Sequence, residues 1–429
     1  MSRRSRIRRQ GWQLLEGDSE ELLKQLPDNY CDSMVTDPPA GISFMNAEWD
    51  RDKGGRDEWI AWLGYVMFEA LRVLKPGAHA LVWAIPRTSH WTAMALERAG
   101  FEIRDVIDHL FGTGFPKSLN FDGGFGTALK PAKEHWILAR KPCAWSLTKN
   151  FREYGTGVLN IDGCRITTSD NLDGGAYAKN ATPLAGQDPA GRWPANVVLS
   201  HADDCIISWR KETRSIPKQA FSFRTGEEGP GYEVVFDGED IVCADHCPVK
   251  LLDDQSGELV SKWGRQLTTG HAAGMVYNYR EKDFDADRLE AFTGDMGGAS
   301  RFFYCAKPDR GERDIGCDHL PLKMGGELVG RKEGSAGLAN PRAGAGRTSG
   351  GRNAHPTCKS LRLMRWLCRL VTPPGGLVLD PFTGSGSTGA AALAEGFRFL
   401  GMELSPEYVE IARARLSYAA AHPEEVPEP

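Results

Sequence analysis

The chain has 429 residues, of which 41% are hydrophobic and 25% are charged. A chain of this length and composition buries a full core, so it forms one large elaborated domain or two to three smaller units and is neither disordered nor fibrous. No stretch approaches the roughly 18 uninterrupted apolar residues of a membrane span, and no apolar segment follows the amino-terminal charges. We therefore expect a cytoplasmic protein without a secretory signal.

The formal net charge of −5 provides no overall attraction to nucleic acid, so binding of nucleic acid would depend on local basic surfaces. Two segments qualify, although a solvated tail and a flexible loop explain them equally well. They are the cluster Arg3, Arg4, Arg6, Arg8 and Arg9, and the glycine-rich run 325–354 with Arg331, Lys332, Arg342, Arg347 and Arg352. The ten cysteines have no regular spacing, which indicates free thiols or a metal site rather than a disulfide framework.

Strand-like and helix-like patterns alternate in the first part of the chain. In chain order they predict a strand over 31–36, a helix over 59–74, a strand over 78–85, a helix over 88–99, a strand from 101 and a strand over 134–139. The middle, 145–350, is rich in Gly, Asp and Pro and has poor periodicity, which predicts a loop-rich insertion that reads the substrate.

Regular patterns return near the carboxyl terminus. They predict a helix over 359–371, a strand from 377, a helix over 389–394, a strand over 397–402 and a helix that Ser405 caps. The alternation predicts an α/β fold, a Rossmann-like sheet with helices on both faces. We place its first half at 11–143, the insertion at 144–350, its second half at 351–418, and flexible tails at 1–10 and 419–429.

A glycine-rich turn follows the strand at 377. The run from Val378 to Gly389, VLDPFTGSGSTG, opens a helix through a turn in which backbone can approach a ligand closely. The next strand ends at Glu403, whose carboxylate could accept hydrogen bonds from both hydroxyls of a ribose. No Gly-Lys-Ser/Thr follows, which argues against a phosphate loop, so the pattern predicts a site for a nucleotide-like ligand.

The second chemical feature is Asp37-Pro38-Pro39, directly after a predicted strand. The lone pair of an aryl amine is delocalised into its ring, so the nitrogen attacks a methyl group poorly unless hydrogen bonds draw it toward a tetrahedral shape. Asp37 could accept one N–H and the carbonyl of Pro38 the other, while the fixed φ of proline holds the segment rigid. Asp-Pro-Pro alone is also compatible with an ordinary loop.

Together these segments resemble the DNA amino-methyltransferases that use S-adenosylmethionine. Asp380-Pro381-Phe382-Thr383-Gly384-Ser385-Gly386 looks like the turn that wraps the methionine part of the cofactor in that family, and Glu403 matches its ribose-binding acid. Gly17-Asp18-Ser19 ahead of Asp37-Pro38-Pro39 resembles the beta branch, in which the catalytic half comes first and the cofactor half last. The resemblance covers about residues 11–142 and 296–416, including Phe115 to Ser118 and Glu134 to Leu138.

The resemblance implies roles for individual residues. Catalysis falls to Asp37, Pro38 and Pro39, and Asp18 would contact the adenine of the cofactor. The full set of implied cofactor residues is Asp18, Asp37, His355, Thr357, Lys359, Asp380, Pro381, Phe382, Gly384, Gly386, Thr388 and Glu403. The implied reaction is methyl transfer to the exocyclic amino group of a flipped base in double-stranded DNA, in a permuted methyltransferase fold.

The target base and the partners stay open. Asp rather than Ser before the prolines favours N6 of adenine, and N4 of cytosine is the alternative. A methyltransferase for RNA or a small molecule, and a non-catalytic DNA-binding module, are the other hypotheses. The polar insertion with dispersed arginines favours duplex DNA. A cognate restriction endonuclease is an expected partner, and the chain would be a monomer or a homodimer.

One position departs from the family. The motif normally ends in an aromatic residue that stacks on the flipped base, and this chain has Ala40 there. We expect Phe44, Trp49 or Trp83 to supply the missing face. Pro142-Cys143 is the only dipeptide typical of methylation at a cytosine carbon, but its place in the chain order fits poorly, so we interpret Cys143 as a structural cysteine.

The insertion holds a possible metal site. His201 and Cys205 are separated by three residues, as are Cys243 and Cys247, and two short loops with two soft ligands each suit a tetrahedral zinc ion. His246 is a substitute ligand. Unconnected thiols and imidazoles are the alternative. A zinc ion here would be structural, because the region has little core of its own.

Overall fold

The computed structural model describes residues 11–43, 48–112, 114, 118–166, 191–202, 204–216, 232–257, 259–260, 296–306, 311–323 and 350–429. The predicted arginine cluster at 3–9, Phe44, the residues 115–117 and most of the run 325–354 lie outside this part of the chain. The chain divides into two compact units. The first comprises Met1–Cys164, Pro194–Asp203 and Tyr304–Pro429, and the second comprises Arg165–Trp193 and Asp204–Phe303.

The strands and helices are numbered here in chain order. The strands are β1 (Trp12–Glu16), β2 (Ser33–Thr36), β3 (His79–Ala84), β4 (Glu102–Leu110), β5 (Asn120–Phe121), β6 (Phe125–Gly126), β7 (Lys133–Arg140), β8 (Val197–Ser200), β9 (Ile206–Ile216), β10 (Tyr232–Val242), β11 (Leu259–Val260), β12 (Met296–Gly297), β13 (Tyr304–Ala306), β14 (Leu377–Asp380) and β15 (Arg398–Glu403). The helices are α1 (Ser19–Lys24), α2 (Arg56–Val73), α3 (Ser89–Ala99), α4 (Leu147–Tyr154), α5 (Pro248–Ser256), α6 (Leu361–Val371), α7 (Ser387–Ala394) and α8 (Pro406–Ala421).

The first unit is built on a nine-stranded sheet with the order β1-β15-β14-β2-β3-β7-β4-β8-β13. Neighbouring strands are parallel except where β7 pairs with β3 and with β4. Strands from the two ends of the chain therefore lie side by side, since β14 pairs with β2. Parallel strands covered on both faces are apolar throughout, and all residues of β2, β3 and β14 are buried.

Alternate residues of the sheet enter two different cores. Met34 and Ala80 belong to the core formed with α2 and α3, whereas Val35 and Leu81 belong to the core formed with α6 and α7. Helices therefore cover both faces, which confirms the predicted α/β class and the Rossmann-like arrangement. The predicted strands and helices of this unit begin and end within a few residues of the observed ones.

The part predicted as one insertion, 144–350, is divided between the two units. Strands β8 and β13 lie within it, yet they extend the sheet of the first unit, where β8 pairs with β4. The second unit contains the antiparallel hairpin of β9 and β10, the helix α5 and the short pair β11 and β12. Sequence periodicity missed β8 and β13 because strands of four and three residues are too short to show it.

Two expectations at the carboxyl terminus are wrong. Residues 419–429 are not a free tail, because α8 continues to Ala421 and Val426 is fully buried beside Leu361 and Ala390. The guanidinium of Arg365 also donates a hydrogen bond to the carbonyl of Val426, at 2.6 Å. In addition, Ser405 occupies the position before α8 without a side-chain capping bond.

Among the described residues, no helix has both the length and the apolar character of a membrane span.

Candidate active site

The predicted site lies at the carboxyl ends of β2 and β14, which are neighbours in the sheet. From β14 the chain continues to β15 on one side, and from β2 it continues to β3 on the other. The strand order thus reverses between β2 and β14, and the crevice at such a point is where ligands bind in open α/β sheets. Asp37 follows β2 directly and the glycine turn follows β14, so the fold brings the two predicted motifs together.

A buried carboxylate joins the two strand ends. The hydroxyl of Thr36 donates a hydrogen bond to Oδ1 of Asp380 at 2.6 Å, and the backbone N–H of Phe382 donates to the same oxygen at 3.1 Å. Asp380 is 1% exposed. Burial raises its pKa to about 7, against the hydrogen bonds from Thr36, Thr388 and Phe382. Asp380, predicted as a cofactor residue, therefore links the end of β2 to the start of the glycine turn through these hydrogen bonds.

The glycine turn has a backbone conformation that other residues adopt poorly. Gly384 has φ +53°, and a Cβ there would lie 2.8 Å from Nε2 of His355. Gly386 has φ +81°, and a Cβ there would lie 3.1 Å from Cα of Ala412. The side chain of Phe382 packs 5.8 Å from the ring of Trp62, measured between centroids. The turn is therefore closely packed on both sides and requires glycine at these two positions.

His355 lies over this turn in a neutral state. Burial lowers the pKa of His355 to about 3, and the nearby cations Lys359, Arg415 and Arg313 contribute. Its ring stands edge-on to Tyr408, with centroids 4.5 Å apart. Nδ1 accepts a long hydrogen bond, 3.4 Å, from the backbone of Thr357. These contacts hold the His355 ring in place beside the glycine turn.

Glu403 is held in place by backbone groups. Its Oε2 accepts from the N–H of Gly384 at 2.8 Å, and its Oε1 accepts from the N–H of Ser405 at 2.8 Å. Burial raises the pKa of Glu403, while these backbone hydrogen bonds oppose the rise. The backbone carbonyl of Glu403 accepts from Gly17 at 2.9 Å, which places Asp18 at the same edge. Asp18 is exposed at the start of α1 and accepts from Glu20 at 2.8 Å.

The catalytic candidate Asp37 is paired with Lys359. The ammonium nitrogen of Lys359 lies 3.0 Å from Oδ2 of Asp37 and 4.0 Å from Oε2 of Glu134, and it sits 3.9 Å above the ring of Trp83. Burial raises the pKa of Asp37 to about 6, although Lys359 lowers it. Burial would lower the pKa of Lys359, but Asp37 and Glu134 outweigh it, so the pKa is raised. Lys359 therefore remains a cation between two carboxylates.

Sequence reasoning missed the residues behind this pair. Glu134 on β7 is opposite His109 on β4, and Nδ1 of His109 lies 3.7 Å from Oε2 of Glu134. Nε2 of His109 is 2.7 Å from the hydroxyl of Ser200 on β8. Burial alone would raise the pKa of Glu134, but Lys359 and His109 lower it to about 2. The sequence signal for Glu134 is its place in the segment EHWIL, which resembles the family.

The chain after Pro39 is anchored by Asp50. The N–H of Gly41 donates to Oδ1 of Asp50 at 2.9 Å, and the N–H of Ser43 donates to the Asp50 carbonyl at 2.7 Å. The hydroxyl of Thr88 donates to the carbonyl of Ala40 at 3.2 Å. Pro38 is buried and Pro39 is partly exposed. The Asp37-Pro38-Pro39 segment is thus fixed at both ends.

The expectation that an aromatic compensates for Ala40 stays a prediction. Trp83 is 9% exposed and has the Lys359 ammonium over its ring. Trp49 is partly exposed and hydrogen-bonds to Tyr408, and Phe44 is outside the described residues. Cys143 is a partly exposed free thiol, and its proposed structural role likewise stays a prediction.

In the second unit, three of the predicted metal ligands lie together. The sulfur atoms of Cys205, Cys243 and Cys247 are all within 4.8 Å of one another. The N–H of Ala244 donates to the sulfur of Cys205 at 3.5 Å. The fourth predicted ligand, His201, belongs to the first unit, and its assignment stays a prediction.

Comparison with known proteins adds a family match. Residues 328–414 match the model of the DNA methylase family N6_N4_Mtase. That segment includes His355, Lys359, the glycine turn and Glu403, whereas Asp18 and Asp37 precede it. The match confirms, for this segment, the resemblance to DNA amino-methyltransferases that the sequence motifs indicate.

Curated relatives align over a short segment. The DNA adenine methyltransferase YhdJ of Escherichia coli (strain K12) is 42% identical over 66 residues, which is 15% of this chain and 22% of YhdJ. The type II methyltransferase M.BamHI of Bacillus amyloliquefaciens is 32% identical over 100 residues, which is 23% of this chain and 24% of M.BamHI. The chain thus spans about a quarter of the length of these relatives. Among solved structures, the cytosine-N4-specific PvuII DNA methyltransferase is 12% identical with a TM-score of 0.45, and the alignment covers 97% of this chain and 94% of that one.

Proposed function

We propose that the chain is a DNA methyltransferase that transfers a methyl group from S-adenosylmethionine to the exocyclic amino group of a base. The observation that carries this proposal is the adjacency of Asp37 and the glycine turn at the carboxyl ends of β2 and β14, tied through Thr36 and Asp380. The DNA methylase match over 328–414 supports the same assignment. In this proposal the glycine turn would hold the methyl donor, and Asp37 would be the acceptor carboxylate in the same crevice.

The residues of the turn fit the cofactor. The positive φ angles and the close approach of His355 and Ala412 disfavour side chains at Gly384 and Gly386, so the turn requires glycine at both positions. Phe382 and the two glycines would hold the methionine part, and Glu403, which the backbone already orients, would accept from the ribose. Asp18 would contact the adenine. When bound, S-adenosylmethionine supplies a methyl group on a positively charged sulfur.

Asp37 and Pro38 would activate the amino nitrogen. Asp37 would accept one N–H and the carbonyl of Pro38 the other, which withdraws the lone pair from the ring and points it at the methyl carbon. The nitrogen gains the methyl group as the bond between that methyl group and the sulfonium sulfur breaks, and it loses one proton, for which Asp37 is the proposed acceptor. A carboxylate with a pKa of about 6 is ionised at neutral pH and is a stronger base than an ordinary aspartate.

Lys359 and Glu134 are positioning residues in this proposal. Lys359 opposes the burial of Asp37 and keeps its carboxylate ionised, while Glu134 holds the ammonium from the other side at 4.0 Å. His109 and Ser200 support Glu134 in turn. This arrangement differs from the cofactor role that the sequence resemblance implies for Lys359.

Duplex DNA and N6 of adenine are the proposed substrate and target atom. The experiment supplies methyl-labelled S-adenosylmethionine with unmethylated duplex DNA or with RNA, and it identifies the modified nucleoside by mass spectrometry. We expect N6-methyladenine in the duplex. N4-methylcytosine would move the target to cytosine, labelled RNA alone would contradict the DNA assignment, and no cofactor binding by calorimetry would favour a non-catalytic DNA-binding module. A cognate restriction endonuclease, a cytoplasmic location and a monomeric or homodimeric state remain predictions from the sequence.

A further inference from the structure

We propose that the second unit binds one zinc ion through the thiolates of Cys205, Cys243 and Cys247, with an imidazole as the fourth ligand. The ion would fasten the open end of the β9–β10 hairpin to the start of α5. The proposed methyl transfer uses none of these residues, so this site is independent of the active site.

The spacing of the sulfur atoms suits a single ion. Zinc binds thiolates at about 2.3 Å, so two sulfurs of a tetrahedral site are about 3.8 Å apart. The ligand atoms of Cys205, Cys243 and Cys247 lie within 4.8 Å of one another. Small side-chain rotations therefore bring all three to zinc distance.

The three cysteines lie next to the ends of strands or helices. Cys205 directly precedes β9 and Cys243 directly follows β10, and the adjoining residues Ile206 and Val242 are paired across the hairpin. Cys247 is the N-cap of α5, and its carbonyl accepts from Leu251 at 2.9 Å. One ion would thus set the register of two strands and fix the helix that follows them.

Burial and ligand chemistry select the kind of ion. Cys247 is fully buried, Cys205 is 3% exposed and Cys243 is partly exposed, so two of the three cysteines are shielded from bulk water. Thiolates favour zinc over hard cations such as magnesium or calcium. A two-stranded hairpin is at best marginally stable alone, so a metal at its base has a stabilising role.

The sequence predicts His201 and His246 as candidates for the fourth position, and of these two His246 lies within the second unit. His246 is 69% exposed in its side chain, and its Nε2 lies 3.3 Å from a carboxylate oxygen of Asp204.

The first test is metal content. Full-length protein purified under reducing conditions without chelators is expected to hold about one zinc per chain by mass spectrometry of metals. Cys243→Ser and Cys247→Ser should each lose at least nine-tenths of this zinc, while the matched control Cys143→Ser, a partly exposed thiol outside the site, should retain it. Circular dichroism checks that each variant is folded. Less than a tenth of a zinc per chain in reduced wild type after incubation with equimolar zinc chloride would overturn the proposal, as would full retention in Cys243→Ser.

The second test concerns the ligand set. Cobalt(II) exchanged for zinc should give the visible bands of a tetrahedral site with thiolate ligands. Cys205→Ser should alter these bands and weaken cobalt binding at least tenfold, whereas Cys143→Ser should leave both unchanged. Unchanged bands in Cys205→Ser would refute Cys205 as a ligand, and an octahedral spectrum in wild type would refute the tetrahedral thiolate site itself.

Discussion

At the scale of single residues, burial and charge act in opposite directions on Asp37. Burial raises its pKa and the Lys359 ammonium 3.0 Å away lowers it, with a resulting pKa of about 6. The group is therefore ionised at neutral pH, as an acceptor of N–H must be, and is still basic enough to take a proton. Glu134 affects the same balance, because its charge attracts Lys359 and also raises the pKa of Asp37.

Replacement of Asp37 tests the proposed chemistry directly. Asp37→Asn retains the shape of the side chain but removes the charged acceptor, so we expect kcat to fall by about 10² to 10⁴. The dissociation constant for S-adenosylmethionine should stay within a few fold of wild type, because Asp37 acts on the amino group. Asp57→Asn on α2, with a side chain that is 65% exposed, is the control. Near-normal turnover by Asp37→Asn would refute the mechanism.

The pH dependence of kcat/KM distinguishes the proposed role of Lys359 from that of Glu134. In wild type, kcat/KM should decline as pH falls through about 6, because Asp37 becomes protonated. Lys359→Met removes the cation that lowers the pKa of Asp37, so this acid limb should move to higher pH. Glu134→Gln removes a negative charge that raises the pKa of Asp37, so the limb should move to lower pH. Shifts in the same direction in both variants would contradict the positioning roles, and Lys149→Met on α4 is a control outside the cluster.

At the scale of elements, the turn between β14 and α7 depends on two glycines with positive φ. Gly384 and Gly386 are in the left-handed region, and a Cβ at Gly384 would lie only 2.8 Å from the imidazole of His355. The N–H of Gly384 also donates to Glu403, so the turn is hydrogen-bonded directly to the ribose-binding candidate. A change in this backbone would therefore affect two parts of the cofactor site together.

The glycine requirement yields a matched pair of variants. Gly384→Ala introduces both left-handed strain and a contact of 2.8 Å with His355, and we expect affinity for S-adenosylmethionine to fall at least about tenfold. Gly396→Ala has a similar φ of +75° but no atom within 4 Å of the added Cβ, so it should lose some stability without loss of affinity. Calorimetric titration measures both. Equal losses of affinity would show that strain alone, and not the fit at His355, limits binding.

Sequence patterns predicted much of the sheet and only part of the site. Apolar runs such as Leu377–Asp380 marked buried strands, and the motifs at Asp37 and Gly384 marked the strand ends, because these signals are local. The contact of Lys359 with Asp37 and Glu134 was not predictable, since it depends on the register of β7 and on the packing of segments more than 200 residues apart. The closeness of Cys243 and Cys247 was predictable from spacing because these two cysteines are local in the chain.

At the scale of the whole molecule, the central sheet is assembled from both ends of the chain. Strand β1 pairs with β15 and β2 pairs with β14, so the active-site crevice forms only when the first and last segments have folded together. The residues after α8 contribute to this assembly, because Val426 is fully buried against Leu361, Ala390 and Ala419. The carboxyl terminus is therefore part of the support of α6 and α7, which cover one face of the sheet.

Replacing Val426 by alanine tests this contribution of the carboxyl terminus to stability. Val426→Ala removes two methyl groups from a fully buried position, and we expect the free energy of unfolding to fall by roughly 1.5 to 3 kcal/mol. Val158→Ala, at a side chain that is 41% exposed in the same unit, should change the free energy by less than about 0.5 kcal/mol. Denaturant titration followed by circular dichroism measures both variants. If Val426→Ala were as stable as Val158→Ala, the end of the chain would not be packed against α6 and α7 in solution.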